Sequence, residues 1–198
     1  MIIGYKKCQP FKNYKDRVIG IFEIFNDSLV SPKITNDYSI YRTNKCRLIG
    51  VEDLEGNQLT MDVIEPAIFL PNYDSYVVFK MNEITEIDSF DENEKIIGKG
   101  IWFFLSKKRA LLYLIENIKD GNLIKWRDNG IMYSDENFIN YKKQGTCKYY
   151  HHNGNIKRVC EYDNNILNNL EYLYDINGIQ NKIINHIKIK QPESNYKT

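Results

Sequence analysis

The sequence predicts an α+β fold, mainly antiparallel β-structure with one clear amphipathic helix at about 107–119, then three stacked β-hairpins forming a continuous sheet. Three observations predict it. Asn-Gly pairs recur at 129–130, 153–154 and 177–178, and Trp126, Tyr150 and Tyr174 each stand three residues before their Asn. Asn-Gly between stretches of alternating polarity signals a hairpin, because a type I′ turn needs positive φ at both central residues. An even period of this size marks stacked supersecondary units. Second, Gly100–Leu105 is a bulky apolar run followed by Ser106, which suits a buried strand feeding a capped helix. Third, 42% hydrophobic and 13% aromatic residues are ample for a packed core.

Taken in order, Val18–Phe25 (Val-Ile-Gly-Ile-Phe-Glu-Ile-Phe) reads as a buried strand, and the polar stretch 26–44 around Pro32 as mostly loop. Cys46–Val51 and Gln58–Ile64 flank Glu55-Gly56-Asn57, the pattern of a hairpin. Pro66 and Pro71 bracket a short apolar segment, Tyr76–Met81 reads as a strand, and 83–94 as an acidic loop. Within 107–119, Ala110, Leu111, Leu114, Ile115 and Ile118 share one helical face, and Asp120-Gly121 supplies a stop. The domains follow as 1–120, 121–190 and a polar tail, 191–198.

Written with two-residue Asn-Gly loops, the second hairpin places His152 opposite Asn155, His151 opposite Ile156, Tyr149 opposite Arg158 and Cys147 opposite Cys160. Trp126, Tyr150 and Tyr174 then form an aromatic stripe, which stacked repeats use either as core or as an interaction surface. Each unit's second turn aligns Asn140 with Asn164 and lacks the usual Gly, though Asn tolerates the left-handed conformation. Gly121 and Gly145 open the first two units, and Asn169 takes that place in the third. Cys147 and Cys160 read either as reduced, half-buried thiols or, with His151, as a redox pair or metal half-site.

Lys+Arg 27 against Asp+Glu 26 gives a formal charge of +1, which makes no electrostatic case for nucleic acid or an anionic membrane. No stretch reaches the roughly 18 apolar residues of a membrane span, and the start lacks a signal peptide's apolar run. The expectation is an intracellular chain with no stable membrane insertion. No acid/base, phosphate-cradling or metal-ligating constellation stands out, so no catalytic residue, cofactor or metal is assigned and no enzymatic activity is expected. The partner expected is an unidentified protein, viral or host, and oligomeric state is not legible.

Gly4-Tyr5-Lys6-Lys7, Lys45-Cys46-Arg47 and Gly100-Ile101-Trp102-Phe103-Phe104, with Ala110 and Tyr113 beyond, occur in that order. Together they resemble a small domain of unknown function found beside pentapeptide repeats in giant viruses, phages and some bacteria, over roughly 1–117. That family carries Gly-Ile-His-Phe-Phe with a Cys shortly before it; here Trp102 replaces the His, and Ile97 or Gly98 the Cys. The resemblance implies no activity. Gly98-Lys99-Gly100-Ile101-Trp102 is also similar to the Gly-Lys-Gly-Phe-Tyr strand of ADP-ribosyltransferase-like toxins. That similarity implies, as an alternative, a degenerate nucleotide-binding protein drawing on Arg17, Arg42, Arg47 and Glu171. Residues 121–187 resemble MORN-like repeats of the YwqK type, implying a binding or scaffolding module active in the host cytoplasm or the virion.

Overall fold

The computed structural model describes residues 1–10, 17–66, 77–88, 90–92, 98–113, 115–116 and 118–186. They form two compact units, Met1–Ile115 with Trp126–Ile131, and Glu116–Lys125 with Met132 onward. The expected polar tail and residues 187–190, the end of the expected 121–190 domain, lie outside the described residues.

In the first unit, the strands are β1 (Ile2–Pro10), β2 (Val18–Ile24), β3 (Val30–Ser31), β4 (Ile40–Thr43), β5 (Lys45–Glu52), β6 (Val63–Pro66), β7 (Phe79–Lys80), β8 (Ile84–Glu86) and β9 (Ile101–Phe104). They pair in the order β3-β4-β9-β1-β2-β5-β8, with β6 bonded to both β1 and β7. The pairings in named strands are antiparallel. A parallel bridge from Leu48 to Met81 joins the end of β7 to β5, so β1, β2, β5, β7 and β6 close a ring. Cys8, Phe22, Cys46, Leu48, Ile64, Phe79 and Phe103 fill one core. Ile19, Ile40 and Phe104 fill a second, with Tyr5 and Trp102, beneath Ala110 of helix α1 (Lys107–Leu112).

The helix is half the predicted length. Ser106 caps it as expected, its side chain accepting from Arg109 N–H. Tyr113 then turns extended (φ −63°, ψ 128°), Ile115 N–H closes a three-residue turn on Leu112 O, and Lys7 Nζ takes the Tyr113 carbonyl. Tyr113 packs its ring 5.0 Å from Phe104, a tertiary contact that overrides the helical pattern. Leu114, on the predicted apolar face, lies outside the described residues, and Ile115 and Ile118 are not helical.

Four other expectations change. Ile40–Thr43, read as loop, is a strand buried at all four positions. Two of its side chains bond to backbone carbonyls: Tyr41 Oη donates to Asn36 O, and Arg42 Nη1 to Asp91 O and Lys99 O at 3.0 and 2.9 Å. The hairpin at 55–57 forms its turn, with Glu52 bridged to Gln58, but pairing stops there. Residues 63–66 leave to pair with β1 and β7 instead. The strand expected at 76–81 shrinks to Phe79–Lys80, and Ile84–Glu86 within the expected acidic loop is a strand. Residues 76, 89, 93 and 94 of these stretches lie outside the described residues.

The second sheet runs β10 (Gly121–Trp126), β11 (Met132–Ile139), β13 (Gly145–Tyr150), β14 (Ile156–Asp163), β15 (Ile166–Tyr174), β16 (Gln180–Asn185), with β12 (Lys142–Lys143) beside β11. The predicted order of three hairpins is the observed one. The turn types are not those expected. In each Asn-Gly turn the Gly N–H donates to the carbonyl three residues back, as Gly154 to His151 at 3.1 Å. The residue offering that carbonyl donates in turn to the residue after the Gly: Arg127 to Ile131, His151 to Asn155, Asp175 to Ile179. Gly130, Gly154 and Gly178 have positive φ (79°, 90°, 83°), whereas their Asn neighbours do not. These are three-residue loops, a type I turn followed by a left-handed Gly. Residues 151 and 155 therefore pair, a bulge follows Tyr149, and Ile156 stands opposite Tyr150 rather than His151.

The type I′ turns lie at the other end, where Gly is absent. Asn140 and Tyr141 have φ of 50° and 63°, Asn164 and Asn165 50° and 70°. Gly121, Gly145 and Asn169 share positive φ (110°, 72°, 57°), which explains their common place in the repeat.

Candidate interaction surface

Strand alternation gives the repeat sheet two faces, and register places them residue by residue. On one, Ser134, Tyr149, Arg158, Leu173 and Lys182 stand side by side across five strands. The adjacent row holds Leu123, Glu136, Cys147, Cys160 and Glu171, all buried. Cys147 and Cys160 are directly opposed, as the sequence register placed them, and both thiols are free. Burial pushes both above the ordinary thiol range. They occupy the small, apolar places of a core row. His151, the third member of the metal reading, instead hydrogen-bonds Tyr174 O at 3.0 Å. Among the described residues no group of three or more His, Cys, Asp or Glu is placed to hold a metal ion.

The two carboxylates of this row are each held between basic side chains. Glu136 pairs with Lys143 on one oxygen, accepts from Tyr149 Oη at 2.8 Å, and meets Lys125 Nζ at 3.5 Å on the other. Burial alone would raise its carboxyl. Hydrogen bonds from Lys143 and Tyr149, with the charges of Lys143 and Lys125, outweigh burial and hold it below the usual carboxylate range. Glu171 pairs with Arg158 through one oxygen and with His186 Nε2 at 2.7 Å through the other. Arg158 and Lys143 also lie over the Tyr149 ring, at 5.2 and 5.4 Å. The two carboxylates of this face are thus satisfied within it. Sequence reasoning missed both clusters, although the register it derived sets Arg158 against Tyr149.

The opposite face carries the row Asp135, Lys148, Val159, Tyr172 and Ile183. It runs from charged to apolar. Ile183 is 52% exposed, and Tyr133 and Ile139, alternating with the buried residues of β11, are 48% and 55% exposed. Tyr150 and Tyr174 close the strands at the tip end, both half-buried. A shallow depression of about 190 Å³ is lined by residues including Thr146, Val159, Leu170 and Tyr172. That is below the roughly 300–1,000 Å³ of small-molecule sites and suits one inserted side chain.

Trp126, the third aromatic of the predicted stripe, groups with the first unit. Its ring stacks on Tyr38 (centroids 5.0 Å, 9° between planes), and its carbonyl accepts from Arg109 Nη2. The Arg109 guanidinium is buried against Phe104, Tyr113 and Trp126, 5.1–5.7 Å from the three rings. Ile40 N–H donates to Asp128 O, and Asn36 Nδ2 to Asn129 O, so the segment 126–131 is bonded to the start of β4.

The short motifs of the first unit have packing roles. A methyl on Gly4 would lie 2.7 Å from Phe103 Cδ2. Lys6 Nζ donates to Trp102 O and Lys7 Nζ to Tyr113 O, and burial lowers both lysines. Burial pushes the Cys8 and Cys46 thiols up to about 12. The Gly98-Lys99-Gly100 strand entry wraps Arg42: a methyl on Gly98 would lie 2.2 Å from Arg42 Nη1, and Lys99 O accepts from that guanidinium.

No protein-family model matches the chain, and no curated protein or solved structure is significantly similar to it. Among the described residues no helix is long and apolar enough to cross a membrane.

Proposed function

We propose that the chain is a non-enzymatic interaction or structural protein of a giant virus. Its MORN-like repeats would present a surface to a viral or host protein, in the host cytoplasm or the particle. The observation that carries this reading is the contrast between the faces of the repeat sheet. One spends its charges internally, on Glu136 and Glu171. The other leaves Ile183, Tyr133 and Ile139 about half exposed beside Tyr150, Tyr172 and Tyr174. Aromatic side chains at a sheet surface are the residue type that most often anchors protein contacts.

The transferase-like alternative has less support. Arg42, one of its four candidate residues, is fully buried with its guanidinium bonded to Asp91 and Lys99 carbonyls, and Glu171 is held between Arg158 and His186. Quantitative capture from infected cells separates the readings. A protein retained by the wild type and lost with Tyr150→Ala/Tyr174→Ala, but kept by a Lys182→Ala control on the opposite face, supports the proposal. A thermal shift with NAD or nucleotides overturns it, since ligand binding to the native state stabilises the fold.

A further inference from the structure

The three Asn-Gly turns share one backbone but not one set of side-chain bonds. In the first, Asn129 Oδ1 accepts from Ile131 N–H at 3.2 Å. In the second, Asn153 Oδ1 accepts from Asn155 N–H at 3.1 Å and Nδ2 donates to Ile176 O at 2.7 Å. In the third, the equivalent N–H, that of Ile179, goes to Asp175 Oδ1 at 2.9 Å. Asp175 also accepts from Asn177 N–H at 2.9 Å. Arg127 and His151 occupy the place of Asp175 in the other two turns. A carboxylate at that position has taken over the acceptor role that the Asn side chain plays elsewhere. Asn177 is exposed, and its side chain makes no hydrogen bond to any described residue.

We infer that Asn177 is a site of spontaneous deamidation and reacts before Asn129 and Asn153. The Gly178 backbone nitrogen attacks Asn177 Cγ and gives up its proton. The side-chain amide leaves with that proton as ammonia, closing a five-membered succinimide. Water then adds to either ring carbonyl and opens the ring, giving aspartate or isoaspartate. Water is the only co-reactant. The Gly must release its hydrogen bond before attack, but Gly130, Gly154 and Gly178 are all bound to the carbonyl three residues back, at 2.9, 3.1 and 3.0 Å. That requirement is common to the three turns, and the difference lies in the Asn side chain. Each side-chain hydrogen bond that must first break slows the reaction about fivefold. The order is Asn177, then Asn129, then Asn153. Conversion to isoaspartate adds a backbone atom to a three-residue loop, so the change falls on the geometry of the last hairpin.

The test is peptide mapping by mass spectrometry of the full chain held in mildly alkaline buffer, beside a denatured control. Native protein should accumulate the amide-to-acid mass gain at 177 at least about fivefold faster than at 129 or 153, with a narrower spread in the control. Asp175→His, which restores the residue of the second turn, should slow position 177 toward the rate of 129, with circular dichroism reporting that the sheet is kept. Faster reaction at 129 or 153, equal rates at all three in the native protein, or an unchanged rate in a folded Asp175→His variant would each overturn the assignment.

Discussion

Asn169 holds a left-handed conformation (φ 57°) where the preceding units use Gly121 and Gly145. A side chain with Cβ costs about 1–2 kcal/mol there unless it is Asn or Asp, whose short polar group compensates locally; Asn169 Nδ2 does so by donating to Glu161 Oε2 at 2.6 Å. Asn169→Ala should destabilise the protein by about 1–2 kcal/mol in urea unfolding, whereas Asn169→Gly should stay within about 0.5 kcal/mol of wild type. An Ala variant as stable as the Gly variant would show that the backbone is not left-handed at this position. The same constraint was visible in the sequence as a repeat position filled by Gly, Gly and Asn. The choice of turn was not. Asn-Gly suits a two-residue type I′ loop and a three-residue loop equally, since both need a left-handed Gly. The bonds from Arg127, His151 and Asp175 to the residues after each Gly decide it.

The pairing of elements depends on contacts that periodicity cannot see. The sequence shows the repeat sheet because its strands join neighbours through short turns. In the first unit, β1 lies between β2 and the distant β9 and β6, and the apparent hairpin partner at 58–64 is drawn off to β1 and β7. Non-local pairing of this kind leaves no local signal. Within the repeat sheet, the Glu136–Lys143–Tyr149 cluster ties the first hairpin to the middle one. Glu136→Gln should cost about 2–4 kcal/mol, because Lys143 loses its ion pair and Tyr149 its charged acceptor. The folded carboxyl sits below its unfolded value of about 4.3, so its contribution is present above that pH and is lost as pH falls through the lower folded value. Wild-type stability should therefore drop in acid more steeply than that of Glu136→Gln. Parallel acid titrations of the two would contradict the account.

At the scale of the whole molecule, the described residues comprise a ring-closing β unit bearing one short helix and a ladder of three hairpins. The three Asn-Gly pairs showed that the ladder exists, and the strand alternation showed that it has two faces. Which face satisfies its own charges was hidden, because Glu136 and Glu171 look like solvent-exposed residues until cross-strand register sets them beside Lys143 and Arg158. All three aromatics of the stripe end strands of the repeat sheet, and Trp126 in addition stacks on Tyr38, a tertiary contact that periodicity does not show. Residue-resolved amide hydrogen exchange tests the ladder most directly. Bonds repeat at fixed intervals, from Arg127, His151 and Asp175 in the Asn-Gly turns and from Tyr141 and Asn165 to the Lys119 and Lys143 carbonyls. Slow exchange is expected at these five amides, rising and falling in step with the repeat. Uniformly fast exchange across 119–186 would contradict it.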